Sequence, residues 1–289
     1  MTTVLPEVVV FMAVYNGDEW LQEQVASILG QQQVNVRLVI NVDRSTDNSR
    51  ALCERLASEN PEVSVLPGDF CLGSATKNFL YLAQKVEVGS ANFVAFSDQD
   101  DIWDRDKLDR SIRAMAENTA DGVSSDVEAF WPNGKRRLVI KSQPQRRLDF
   151  VLEAAGPGST YLMSKALWGD FVVWLRGKDL EKMPPHDWLL YAFSRLNGYR
   201  WHILAESTVL YRQHDRNFLG ANLGFKGRIA RVGSVINGSF RKDVQRLADA
   251  FEGDFPIAVS RWALLSNWSG LRRKRSEAII FAVLCALFW

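Results

Sequence analysis

The chain has 289 residues, 47% hydrophobic and 24% charged, proportions that fit a globular protein and exclude a fibrous or disordered one. Its formal net charge of +1 is unevenly spread: residues 226–289 hold 11 Lys/Arg against 5 Asp/Glu, which leaves the first 225 residues mildly acidic. An acidic body of this kind is not a nucleic-acid binder, which would carry its basic charge across the folded surface.

The N-terminus has no charged region followed by a cleavage site, so no secretory signal is expected. Val8 to Met12 is a β-branched run ending at the turn signal Asn16-Gly17. Trp20 to Gly30 spaces Trp20, Leu21, Val25, Ile28 and Leu29 as one face of a helix closed by glycine. Val34 to Val42 predicts a second strand, and Ser45-Thr46-Asp47-Asn48 supplies N-cap chemistry for a helix through Leu56. Val63 to Leu66 predicts a third strand, Thr76 to Val86 a helix and Asn92 to Phe96 a fourth strand. Asp121 to Arg147 is polar around Trp131-Pro132-Asn133-Gly134 and predicts a hairpin or excursion. An apolar helix follows His186-Asp187, and a strand over Ser207 to Tyr211 leads to Arg212-Gln213-His214.

Strands alternating with helices at this spacing predict an α/β fold with a mostly parallel central sheet flanked by helices. Ligands of such sheets bind beyond the carboxyl ends of the strands, so Tyr15-Asn16, Asp43-Arg44-Ser45 and Asp98-Gln99-Asp100-Asp101 should face one crevice. No GxGxxG follows the first strand and no Walker A sequence occurs, which disfavours a dinucleotide dehydrogenase or a P-loop NTPase. Cys53, Cys71 and Cys285 are scattered and odd in number, which fits a reducing compartment and no disulfide framework.

The acidic turn after the apolar run Phe93-Val94-Ala95-Phe96 is the main chemical signal. Three carboxylates within four positions repel one another unless water or a cation compensates them. The turn is therefore either a solvated loop or a hard-oxygen seat for Mg²⁺ or Mn²⁺, whose remaining ligands come from substrate phosphates. His214 is either structural or one nitrogen ligand to the same cation. Asp187, at a helix start, is either a cap or a general base.

Taken together, Ala13-Val14-Tyr15-Asn16-Gly17, Asp43-Arg44-Ser45-Thr46-Asp47-Asn48-Ser49, Lys77-Asn78-Phe79, Ser97-Asp98-Gln99-Asp100-Asp101-Ile102-Trp103, His186-Asp187-Trp188 and Tyr211-Arg212-Gln213-His214 resemble, in order, the GT-A fold inverting glycosyltransferases of family 2, and among them the rhamnosyltransferase-like branch. The resemblance spans roughly residues 7–220. It implies a nucleotide-diphospho-sugar transferase fold over residues 1–225, with the nucleotide-binding part to about residue 105 and the acceptor part beyond it. It also implies that Ala13, Tyr15, Asn16 and Asp43 hold the nucleotide base side, that Lys77 approaches the diphosphate, that Arg212 is among the substrate- or nucleotide-binding residues, and that Asp98 contacts ribose or metal-bound water. Asp100 is then the direct metal ligand, with His214 beside the metal or diphosphate, and Asp187 the base that deprotonates the acceptor hydroxyl. Two departures stand out: Arg44 replaces the customary glycine after Asp43, and the segment Pro67 to Gly73 is longer than the family form.

The implied activity is metal-dependent, inverting transfer of L-rhamnose from dTDP-L-rhamnose to a lipopolysaccharide or other surface-glycan acceptor. The alternatives are a UDP-hexose donor on the same fold and a non-catalytic nucleotide-sugar-binding or scaffold protein. Residues 226–289 read as a helical extension. Ala278 to Trp289 is apolar but spans only about 18 Å as a helix, short of the roughly 30 Å hydrocarbon core. The basic run Arg272 to Arg275 before it points to a helix on the inner face of the cytoplasmic membrane, or else to one packed on protein.

Overall fold

A computed structural model describes residues 4–69, 71–214 and 232–289. Its centre is a nine-stranded sheet in the order β3-β2-β1-β4-β8-β6-β9-β5, with β7 paired outside this path to β6. The strands are β1 (Glu7–Val14), β2 (Asn35–Val42), β3 (Val63–Val65), β4 (Phe93–Ser97), β5 (Ile102–Trp103), β6 (Gly122–Phe130), β7 (Arg136–Val139), β8 (Leu162–Ser164) and β9 (Trp201–Arg212). The first half, β3-β2-β1-β4, is parallel as expected, with Phe11 opposite both Val39 and Phe96. Beyond β4 the sheet is mixed: β8 lies antiparallel between β4 and β6, while β6 and β9 pair in parallel. The polar excursion after Asp121 is the β6–β7 hairpin, turning at Trp131 to Lys135.

Helices α1 (Leu21–Leu29), α2 (Ser49–Glu59) and α4 (Lys107–Asn118) cover one face of the sheet, and α3 (Ala75–Lys85), α5 (Lys165–Leu175) and α6 (His186–Leu196) the other. Strand β1 serves both. Val8, Val10, Met12 and Val14 point into the first core while Val9 and Phe11 point into the second, all fully buried. That two-sided burial is why the strand reads as a continuous apolar run rather than an alternating one. The cap of α2 differs from expectation: the Asn48 side chain makes no cap bond, and Asp47 instead accepts from the Ser49 and Asp18 amides.

Among the C-terminal residues, α7 (Ser239–Phe251), α8 (Arg261–Ser266) and α9 (Arg275–Phe288) pack on the same core as α3, α5 and α6. Val244, Leu247, Leu264, Leu271, Phe281 and Cys285 are all buried there. The boundary expected at residue 225/226 lies outside the described residues. The apolar tail splits its allegiance: Ala278, Phe281, Cys285 and Trp289 face inward, while Ile279, Ile280, Val283, Leu287 and Phe288 face outward. The basic run splits too, since Arg273 is buried and Lys274 and Arg275 are exposed. No helix among the described residues is long and apolar enough to cross a membrane.

Candidate active site

The carboxyl ends of β1, β2 and β4 converge, and the three expected clusters bond to one another. The Gln99 side chain clamps Tyr15 from both sides, accepting from its N–H at 2.8 Å and donating to its carbonyl at 2.9 Å. Asn16, with φ of 47°, donates its N–H to Ser45 Oγ at 3.0 Å, and its Oδ1 accepts from the Thr46 N–H at 2.8 Å. Gly17 leaves room for this clamp, since a Cβ there would lie 2.4 Å from Gln99 Oε1 and push the amide aside. Ala13 stands opposite Asn41 one residue before the end of β1, and the Tyr15 ring stands exposed at the rim.

Asp43 is buried and accepts three backbone N–H groups: Arg44 at 2.9 Å, Leu72 at 2.8 Å and Gly73 at 2.7 Å. A carboxylate offers about four lone-pair directions, so one is left for a ligand. Asp43 thus ties the loop after β3 to the strand ends, which accommodates the long segment there. Arg44 turns outward to Asp69 at 3.0 Å. Lys77, in the first turn of α3, pairs with Glu181 at 2.8 Å.

The acidic turn is held from beneath. Asp101 is fully buried, and its Oδ1 accepts the Arg212 N–H at 3.2 Å. Arg212 Nε donates to the Asp100 carbonyl at 2.7 Å, and its guanidinium reaches Glu23. Arg212, expected among the substrate- or nucleotide-binding residues, therefore also braces the turn. Asp100 Oδ2 lies 2.8 Å from His214 Nε2, and that imidazole stacks on Trp20 with ring centroids 3.9 Å apart. The two expected metal ligands are thus adjacent and oriented. Among the described residues, no group of three or more His, Cys, Asp or Glu forms a ready cage. Two side chains at the turn suit a cation whose other ligands are phosphate oxygens and water.

The electrostatics are those of crowded carboxylates. Desolvation by the surrounding protein, then Asp100 and Asp187, push the Asp98 pKa up to about 7. Asp101 is raised well above the usual range by burial and by Asp100 and Asp98. Asp187 is pushed up to about 6, chiefly by burial, against the Trp188 N–H and Lys141, which favour its charged form. The Asp187 charge is among those that raise Asp98, so the start of α6 lies near the acidic turn.

Residues 156–160 form the wall between them. Gly158 lies against His186 and Asp187, and the adjacent Ser159 is fully buried and reaches toward Asp98 and Asp101. His186 stacks on Phe79 with centroids 4.2 Å apart and meets the Phe96 edge at 5.5 Å, so α6 begins from a fixed point. Pro185 precedes the helix without a side-chain cap, and Asp187 sits in the first turn, accepting the Trp188 N–H at 2.7 Å. Asp187 is therefore not the cap of α6.

Sequence reasoning gave no individual site role to Gln99, Trp20, Ser159 or Lys107. Lys107 is fully buried, its Nζ 3.8 Å from the Trp103 ring centroid and without a hydrogen-bond partner. The spacing of Trp103 and Lys107 on either side of the α4 start was the signal available for that pair. Nothing in the local sequence marks Trp20 or Ser159.

A sheet with helices on both faces, acids at its strand ends and an Asp–His pair beside them is the arrangement expected of a nucleotide-sugar transferase. Comparison agrees: residues 9–157 match the family described as Glycosyl transferase family 2, and the chain belongs to that family. It is a glycosyltransferase with the GT-A fold. It is 36% identical over 286 residues to the dTDP-rhamnosyl transferase RfbG of Shigella flexneri, covering 96% of this chain and 99% of that one. It is 30% identical over 165 residues to the UDP-Glc:alpha-D-GlcNAc-diphosphoundecaprenol beta-1,3-glucosyltransferase WfgD of Escherichia coli, covering 56% of this chain and 62% of that one. Among solved structures it resembles S. aureus TarS in complex with UDP-GlcNAc, with a TM-score of 0.58 at 15% identity, covering 92% and 81% of the two chains. A mannosyltransferase from Pyrobaculum calidifontis in complex with GDP-Man and Mn²⁺ superimposes with a TM-score of 0.53 at 16% identity, covering 98% and 85%.

Proposed function

We propose that this chain transfers L-rhamnose from dTDP-L-rhamnose to a hydroxyl of a lipopolysaccharide or other surface-glycan acceptor, with inversion at the anomeric carbon. The observation that carries the reading is Asp187, a carboxylate with its pKa pushed up to about 6, facing the acidic turn across the residue 156–160 wall. The near full-length likeness to a dTDP-rhamnosyl transferase supports the donor.

Asp187 takes the proton of the acceptor hydroxyl. The freed oxygen pair forms the bond to the anomeric carbon as the bond from that carbon to the diphosphate oxygen breaks. The nucleoside diphosphate leaves with those electrons, and no covalent enzyme intermediate is needed. Asp43 and the Tyr15–Asn16 loop hold the base end, and Lys77 meets the diphosphate. Asp100 and His214, with Asp98 beside them, would hold Mg²⁺ or Mn²⁺. When bound, that ion stabilises charge growing on the leaving group.

The outward apolar stripe of α9, with Lys274 and Arg275 at its start and the Trp262 ring exposed on α8, supports peripheral attachment at the inner face of the cytoplasmic membrane. A glycolipid acceptor resides on such a surface. A thermal-shift panel of dTDP-rhamnose, UDP-glucose and GDP-mannose, with and without Mn²⁺, tests the donor. Selective stabilisation by dTDP-rhamnose supports the proposal, and selective stabilisation by UDP-glucose replaces it with the hexose alternative.

A further inference from the structure

The basic run before α9 does more than precede an apolar helix. Arg273 is only 3% exposed and enters the protein directly behind α6. Its Nη1 lies 3.3 Å from Asp149 Oδ2, its Nη2 donates to the Ala154 carbonyl at 2.7 Å, and its backbone N–H donates to Glu153 Oε1 at 2.6 Å. Asp149 is fully buried and is the hub of the arrangement. It also accepts from the Tyr191 hydroxyl at 3.0 Å and from Arg195 Nη1 at 2.8 Å.

Tyr191 and Arg195 both belong to α6. They follow Asp187 at intervals of four, so Asp187, Tyr191 and Arg195 share one face of that helix. Two further bonds tighten the stack: Trp188 Nε1 donates to the Phe150 carbonyl at 2.6 Å, and the Leu148 N–H donates to the Gly270 carbonyl at 3.1 Å. Residues 148–155 are thus sandwiched between α6 and the segment that leads into α9. A buried carboxylate stripped of a cationic partner is strongly unfavourable, so the hub holds its partners in one arrangement.

We propose that Arg273 is a positioning residue for the transfer reaction: through Asp149 it fixes the face of α6 that carries Asp187. The C-terminal segment is on this view part of the catalytic framework, independently of any membrane attachment. The inference rests on the reading of Asp187 as the base, since reaction rate depends closely on where that carboxylate sits.

The test uses the full chain carrying Arg273→Met, Arg273→Lys or Tyr191→Phe, assayed with a detergent-solubilised acceptor so that membrane binding plays no part. Arg273→Met should lower kcat at least tenfold with the donor KM within about twofold of the parent, because the donor side contacts other elements. Arg273→Lys, which keeps the charge, should recover most of that loss. Tyr191→Phe removes the hydroxyl's bond to Asp149 and the one it accepts from Arg195, keeps both guanidinium groups, and should lower kcat about threefold. It decides the matter alone if Arg273→Met does not fold. Parental kcat in the folded variants, or a donor KM that rises while kcat holds, overturns the proposal. Amide hydrogen exchange over residues 186–196 separates this outcome from a failure of the base assignment. Faster exchange in Arg273→Met supports the strut whatever Asp187 does, and unchanged exchange overturns it. Asp187→Asn with full turnover would instead remove the base assignment itself.

Discussion

Gly158→Ala is the sharpest perturbation of the wall between the acidic turn and α6. The added Cβ would lie 2.6 Å from His186 Nε2 and 3.4 Å from Asp187 Cβ. Ordinary carbon contacts lie at about 3.5–4.0 Å, so the imidazole and the backbone must separate by roughly 1 Å. His186 has little room to yield, being stacked on Phe79 and set against the edge of Phe96. Overpacking of this kind costs about 1–3 kcal/mol of stability. At about 2–4 °C per kcal/mol for a chain of this size, the melting point should fall by roughly 2–12 °C. If the movement is taken up by the start of α6, Asp187 shifts by a similar distance, and a misplacement of about 1 Å can cost on the order of 10²-fold in rate. Melting curves and initial rates at saturating donor measure both effects. The same substitution in a His186→Ala background, where the obstacle is gone, should cost little, so a double-mutant cycle should return a coupling of about 1–3 kcal/mol. A Gly158→Ala protein with parental melting point and rate, or a cycle that closes to zero, would refute the packing argument.

Three other expectations concern protons, metal and membrane. A base works only when ionised, so kcat/KM should be full at alkaline pH and fall as pH drops through about 6, where Asp187 takes up a proton; a profile flat down to about pH 5 removes Asp187 from the chemistry. Asp100→Ala should weaken donor binding in the presence of Mn²⁺ by tenfold or more, with EDTA producing the same loss in the parent, and calorimetric titration that shows neither effect takes the metal out of the mechanism. Ile280→Glu combined with Val283→Glu, both on the outward face of α9, should abolish co-sedimentation with anionic vesicles while leaving the melting point within a few degrees; retention on vesicles would place the attachment elsewhere.

How much of this was legible beforehand differs between the halves of the site. The alternation of apolar runs with amphipathic stretches located β1 to β4 and α1 to α3 within a few residues, because the parallel half of the sheet buries β1, β2 and β4 on both faces. The strand-end clusters could be placed together for the same reason, since a parallel sheet brings all its carboxyl ends to one edge. The antiparallel insertion of β8 was not readable. Three residues, Leu162 to Ser164, carry no period, and only long-range pairing makes them a strand. Asp43 and Arg212 were identified as site residues from their motifs, but their partners were not, because each is set by a backbone N–H or carbonyl remote in sequence. The tail showed the same limit: its composition suggested a surface helix, whereas the inward turn of Arg273 depends on Asp149, 124 residues away.

The pairing of Lys77 with Glu181 has a bearing on donor choice. Glu181 is largely exposed, and a solvent-facing ion pair of this kind is worth about 0–1 kcal/mol. On the proposed role of Lys77, an arriving pyrophosphate has an incumbent anion to displace, though a weakly held one. What it gains from the lysine is the difference between two negative groups, which favours multiply charged donors over sugar monophosphates.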